Sequence, residues 1–158
     1  MSIKLCFVAP GRSGKDCAAD YLGKITTLKY SGSASNVVCP LIAKELGISE
    51  EQCWNERHDN RTFWKNWCDN FRKDDPAKIV KQMLLNGNLV VGLRGYKEII
   101  AAKELTDLVI WISNNRVAID NTMEFGSEVC DIVVENHTTL EDYYKKLHRL
   151  ANSLQILI

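Results

Sequence analysis

The sequence predicts an α/β protein with a five-stranded parallel sheet of order 2-3-1-4-5, flanked by helices. Three observations carry that expectation. Short apolar, β-branched runs alternate along the chain with segments of helical period. The first apolar run leads directly into a glycine-containing turn that opens a helix, the context of a phosphate-binding loop. No repeat, low-complexity stretch or domain boundary interrupts the pattern, so one domain is expected over 1–158.

The elements follow in order. Ile3 to Ala9 is a short apolar run, read as a buried strand. Gly11 to Lys15 is the turn, and Ala18, Tyr21, Leu22 and Ile25 then recur at helical spacing. A weak strand is expected at Leu28–Ser31. The next helix carries Val38, Leu41, Ile42 and Leu46 and stops at Gly47. Ser49 caps a short helix through Glu50–Trp54, and Thr62–Phe71 places Phe63, Trp64, Trp67, Cys68 and Phe71 on one stripe. Pro76 starts another helix that ends near Gly87. Leu89–Leu93, Leu108–Ile112 and Ile132–Val134 read as strands, with a helix over Tyr96–Leu105 between the first two. The last helix bears Leu140, Tyr143, Tyr144, Leu147, Leu150 and Leu154 on one face; Thr139 is its cap, and Asp142 nearly completes a capping box.

Charge balance narrows the function classes. Lys plus Arg equals Asp plus Glu at 20 each, which argues against bulk non-specific binding to nucleic acid or membranes. Cysteines at 6, 17, 39, 53, 68 and 130 form no CxxC pair, and the three histidines have no zinc-like spacing. With no leader-like start and no run of transmembrane length, the expectation is a cytoplasmic protein with free thiols and an inert Cys6 in the core.

The strongest motif is Ala9-Pro10-Gly11-Arg12-Ser13-Gly14-Lys15-Asp16-Cys17. A helix N-terminus presents unpaired N–H groups and the positive end of the helix dipole, and small residues let the backbone curl around an anion. Gly11, Arg12, Ser13, Gly14, Lys15, Asp16 and Cys17 are therefore the expected phosphate-binding residues for ATP, with Lys15 reaching its outer oxygens. Against GxxxxGK[ST], Ala9 replaces the first glycine and Asp16 the hydroxyl residue. Carboxyl ends of strands are where this architecture binds ligands, so Arg94 after Leu89–Leu93 is aimed at the same crevice. It also stands at helical spacing from Glu98, with which it could pair on the surface.

With these residues in place, the chain resembles the deoxynucleoside monophosphate kinases of bacteriophages, P-loop relatives of adenylate kinase. Arg12-Ser13-Gly14-Lys15-Asp16-Cys17 matches that family's Arg-Ser-Gly-Lys-Asp-Thr. Gly92-Leu93-Arg94 and Glu98 hold the places of its Asp-Val-Arg and following Glu. Ser127-Glu128, the segment Asp131 to Asn136, and Thr138-Thr139-Leu140-Glu141 match its last motifs in order and spacing. Cys17, Gly92 and Phe125 depart from the family's Thr, Asp and His.

The resemblance implies a P-loop, NMP kinase-like fold and transfer of the γ-phosphate of ATP to a (deoxy)nucleoside monophosphate. It implies ATP and Mg2+ as cofactors and small nucleotides as partners. It implies neither nucleic acid nor membrane, and the (host) cytoplasm as location. The oligomeric state is open, a homodimer included. Lys15, Asp16, Arg94 and Arg116 are the implied catalytic set, with Asp16 holding magnesium through water. An acceptor region at about 49–87 would use Arg61, Trp64, Arg72 and Arg94, within a cluster that also holds Arg57 and Lys73. The spacing of Trp64 and Trp67 with Phe63 and Phe71 favours core packing over stacking on a base. A short lid is placed at about 113–128, Arg116 within it. Because Cys17 and Gly92 both touch magnesium chemistry, a nucleotide-binding protein with weak or no turnover stays open, as does a kinase of another small metabolite.

Overall fold

The computed structural model describes residues 2–30, 32–119 and 123–158. Its strands are β1 (Leu5–Val8), β2 (Leu89–Val91), β3 (Leu108–Ser113) and β4 (Ile132–Glu135). Its helices are α1 (Lys15–Ile25), α2 (Ala34–Leu46), α3 (Glu50–Glu56), α4 (Arg61–Phe71), α5 (Lys78–Asn86), α6 (Tyr96–Leu105) and α7 (Leu140–Ser153). Among the described residues the sheet has four strands, all parallel, in the order β2-β1-β3-β4.

That order is the expected one with the outermost strand missing. The run at Leu28–Ser31 does not form a strand over its described residues; Tyr30 makes only a single parallel bridge to Leu89 of β2. Ser31 lies outside the described residues. A sheet edge needs several paired residues to hold a strand. Here the chain turns from this bridge into α2, which starts at Ala34 with Ser33 and Asn36 as its reciprocal capping pair.

Strand alternation splits the core in two. Leu5 and Phe7 of β1 point to one face with Leu89, Val91, Ile110 and Ile112, where α1 and α7 cover them through Ala18, Leu22, Tyr143 and Leu147. Cys6 and Val8 point to the other face with Val90, Val109 and Trp111, beneath Val38, Ile42, Val80, Met83 and Ile99 of α2, α5 and α6. All four residues of β1 are buried, as a central strand covered on both faces requires. Burial pushes the Cys6 thiol pKa far above its usual range, so Cys6 is an inert core residue, as expected.

The helix ends follow the local chemistry. Gly47 ends α2 in the left-handed region at φ 68°. Ser49 and Thr139 accept hydrogen bonds from the backbone N–H groups of Gln52 and Asp142 at 3.1 Å each, capping α3 and α7. Among the described residues no helix is long and apolar enough to cross a membrane.

Candidate functional site

The strand order reverses at β1: the chain leaves it for β2 on one side and later returns to β3 on the other. A crevice opens outside the carboxyl ends of strands at such a point. The Ala9–Cys17 loop lies there, between β1 and α1. Its curl is made by two left-handed residues, Arg12 at φ 66° and Gly14 at φ 101°. Ala9 is not among the positive-φ residues, so glycine is not required there.

Gly14 is required for two reasons. Its φ disfavours any side chain, and a Cβ built there would stand 2.7 Å from Asn136 Nδ2 and 3.2 Å from Tyr143 Cε2. Those same side chains tie the loop down. Asn136 Nδ2 donates to the Ser13 carbonyl at 3.0 Å, and the Tyr143 hydroxyl donates to the Gly14 carbonyl at 2.8 Å. Burial raises the Tyr143 pKa above its usual range, with Cys17 and Tyr144 adding to the effect. The hydroxyl therefore stays a donor. The Ser13 hydroxyl is buried and has no hydrogen-bond partner among the described residues. A buried polar atom left this way inside a curled backbone suits an anion that would accept its proton.

The other expected residues divide. Arg94 is brought to the loop: a Cβ on Gly11 would stand 3.7 Å from its Nη2. The surface pair of Arg94 with Glu98 is replaced by another. Arg72 Nη1 donates to Glu98 Oε2 at 2.7 Å, and its Nη2 to Asp69 Oδ1 at 2.9 Å. The Glu98 carboxylate also accepts from the backbone N–H groups of Arg94 and Gly95, yet burial pushes its pKa up. Arg116 reaches the site through Asn136: its Nη2 donates to the Asn136 carbonyl at 3.4 Å, while Nε and the backbone N–H hold Asn114 Oδ1. The rest of the expected lid, about 113–128, lies partly outside the described residues, at 120–122.

Asp16 is in the first turn of α1 and accepts from the Tyr30 hydroxyl at 3.1 Å. Cys17 is exposed beside it. Lys15 is partly buried at the start of α1. Arg61 is exposed on α4, its Nη2 3.4 Å from His58 Nδ1. Trp64 is 9% exposed and belongs to the core under α2, which realises the packing reading of its spacing. Trp67 stacks on Phe71 and donates to Glu45 at 2.6 Å.

A cavity of about 480 Å³ opens beside Arg72, its walls including Lys73, Tyr96, Lys97, Glu98 and Glu124. Arg61 and Trp64 do not line it. A larger hollow of about 630 Å³ lies between α1 and α7 at the stacked rings of Tyr21 and Tyr144, and none of the sequence-expected site residues lines it. Sequence reasoning missed Tyr30, Asn136 and Tyr143 as loop partners and Tyr96 and Lys97 as cavity walls. Tyr143 reads as one more apolar position of a helical stripe, and nothing local marks its hydroxyl.

Phe125 and Gly92, two of the three departures from the resembled motifs, suit their local surroundings. Phe125 is buried and meets the ring of Trp111 edge-on at 6.3 Å. Gly92 has φ 98°, so the turn after β2 is one that a side chain strains even though space is present around it. We expect Gly92→Asp to lower unfolding stability by about 1 kcal/mol or more. Urea denaturation checks this, and an unchanged midpoint would show that the turn relaxes to accept a side chain. No family model and no curated protein matches this chain.

Proposed function

We propose that the chain is a P-loop kinase that transfers the γ-phosphate of ATP to a nucleoside or deoxynucleoside monophosphate. One observation carries the reading: a curled Gly-x-x-Gly-Lys loop opens α1 at the switch point of a parallel sheet, with the Arg94 guanidinium over it. Phosphoryl transfer asks a protein chiefly to position two substrates and to neutralise charge. The loop backbone and the Ser13 hydroxyl hold the outer phosphates. Lys15 neutralises charge on the transferred group, and Arg94 stands between the loop and the acceptor. Arg116, tethered at Asn136, closes the site from the β3 side.

The cavity beside Arg72 is the acceptor site in this reading. Lys73 and Lys97 supply cations for the monophosphate and Tyr96 a ring for the base. Arg72 is committed to Glu98 and Asp69, and so shapes the wall in place of gripping the phosphate. Magnesium, bound with ATP, would neutralise charge building on the β- and γ-oxygens. One carboxylate with waters and phosphates is an ordinary magnesium set, and Asp16 would supply that carboxylate, through water.

The test is an ADP-release assay with ATP, magnesium and each common NMP and dNMP. Release that depends on one acceptor supports the reading; release with none refutes it. A second reading, nucleotide binding without turnover, is favoured by one feature: Cys17 offers a thiol where a hydroxyl would be the harder ligand. ATP binding without acceptor-dependent ADP release would select it. For the kinase we expect Cys17→Thr to lower the magnesium concentration at half-maximal rate by severalfold. A magnesium titration of both proteins checks this, and identical midpoints would mean that the thiol does not limit metal binding.

A further inference from the structure

We propose that Asn136 is the positioning residue that couples the phosphate loop to Arg116, so that it governs affinity for the triphosphate donor. The inference rests on the kinase reading above. Asn136 is the first residue after β4 and has contacts in three directions. Its side chain donates to the Ser13 carbonyl at 3.0 Å. Its backbone N–H donates to the Ser113 carbonyl at 2.7 Å, where β3 ends. Its carbonyl accepts from Arg116 Nη2 at 3.4 Å. The next residue, His137, adds a hydrogen bond between its ring and Ser113 Oγ at 3.0 Å. The ends of β3 and β4 are thereby joined, and the Asn136 side chain carries this joint across to Ser13.

The chemistry explains why the position suits an amide. The loop between Arg12 at φ 66° and Gly14 at φ 101° is a conformation that costs energy and persists only when its surroundings over-determine it. The Ser13 carbonyl is engaged by the Asn136 amide and so is not available to turn towards phosphate oxygens in the loop. A carbonyl facing those oxygens would repel them, and the Asn136 N–H donor prevents it. The amide does this without charge. A carboxylate of the same shape would repel the Ser13 carbonyl and would add a negative charge behind the phosphates.

The experiment compares wild type with Asn136→Ala and the isosteric Asn136→Asp, which keeps the packing against Gly14. Binding of ATP alone is measured by titration calorimetry from about pH 4 to 8, a range that spans the usual aspartate pKa, with melting temperatures by circular dichroism. At pH 7.5 we expect Asn136→Ala to weaken ATP binding about tenfold, the scale of one buried hydrogen bond, and Asn136→Asp to weaken it further. As pH falls, the carboxyl group introduced by Asn136→Asp takes up a proton and can again donate to Ser13. The gap between Asn136→Asp and wild type should therefore close, whereas that of Asn136→Ala should not. A merely structural role would lower melting temperature in both variants and give no such pH dependence. Wild-type ATP affinity in the two variants, or parallel pH profiles, would overturn the role of Asn136 and leave the kinase reading standing. Wild type that binds no ATP would overturn both.

Discussion

Lys15→Ala is expected to leave the chain folded and to lower acceptor-dependent ADP release by about 100-fold or more, the scale of losing one preorganised charge at the reacting group. Folding should survive because position 15 is the first residue of α1 and is not part of either core cluster. Alanine is a good helix former, and the turn before it is held by Gly14, Asn136 and Tyr143. The loss should fall on kcat as well as on ATP affinity, since charge on the transferred group grows towards the transition state. The check is steady-state kinetics with the acceptor found by the screen, with circular dichroism as control. Wild-type turnover would remove Lys15 from the chemistry.

Arg72→Leu is expected to cost about 3 kcal/mol of stability near pH 8, because it strands a carboxylate whose side chain is 4% exposed. Two backbone N–H groups remain for Glu98, and they do not replace a cation. The sign of the pH dependence follows from burial. Glu98 has its pKa raised in the folded protein, so the native state binds more protons than the unfolded chain once pH exceeds the usual carboxylate range. Stability therefore falls as pH rises from that range through the folded pKa. Removing Arg72 takes away an interaction that lowers this pKa, which extends the loss towards neutral pH. Urea unfolding should show the variant closer to wild type at pH 5 than at pH 8. The double variant Arg72→Leu, Glu98→Leu should recover most of the loss, as buried pairs replaced by apolar residues do. Equal losses at both pH values would show that the protonation of Glu98 does not change between them and would overturn this pH dependence. In the kinase reading the acceptor KM should also rise, since the same pair walls the cavity at Tyr96 and Lys97.

The chain's own pattern was sufficient for most of the architecture. The continuous burial of Leu5, Cys6, Phe7 and Val8, the stop at Gly47 and the caps at Ser49 and Thr139 are local properties, and they stand as the sequence predicts. The relative order of the four strands follows too, since crossover rules leave few arrangements for such a pattern. The fifth strand did not follow. Whether Leu28 to Tyr30 pairs along β2 or touches it once depends on where α2 begins, and that is settled by the cap at Ser33 and Asn36.

The loop was legible for a comparable reason: strand, glycine turn and helix are contiguous in sequence. Its partners were not. Tyr143 lies 129 residues from Gly14 and meets it because α1 and α7 cover the same face of the sheet; Asn136 lies 123 from Ser13 and reaches it from the carboxyl end of β4. The fate of the cations was decided in the same way. Spacing alone offers Glu98 to Arg94 at one helical turn, but the packing of α4 near α6 delivers Arg72 to it instead, while Arg94 reaches towards Gly11 of the loop. Residue type and spacing state which local conformations and pairs are available; a buried carboxylate then takes the partner that tertiary packing places within hydrogen-bond reach, because an unpaired charge there is the costliest alternative.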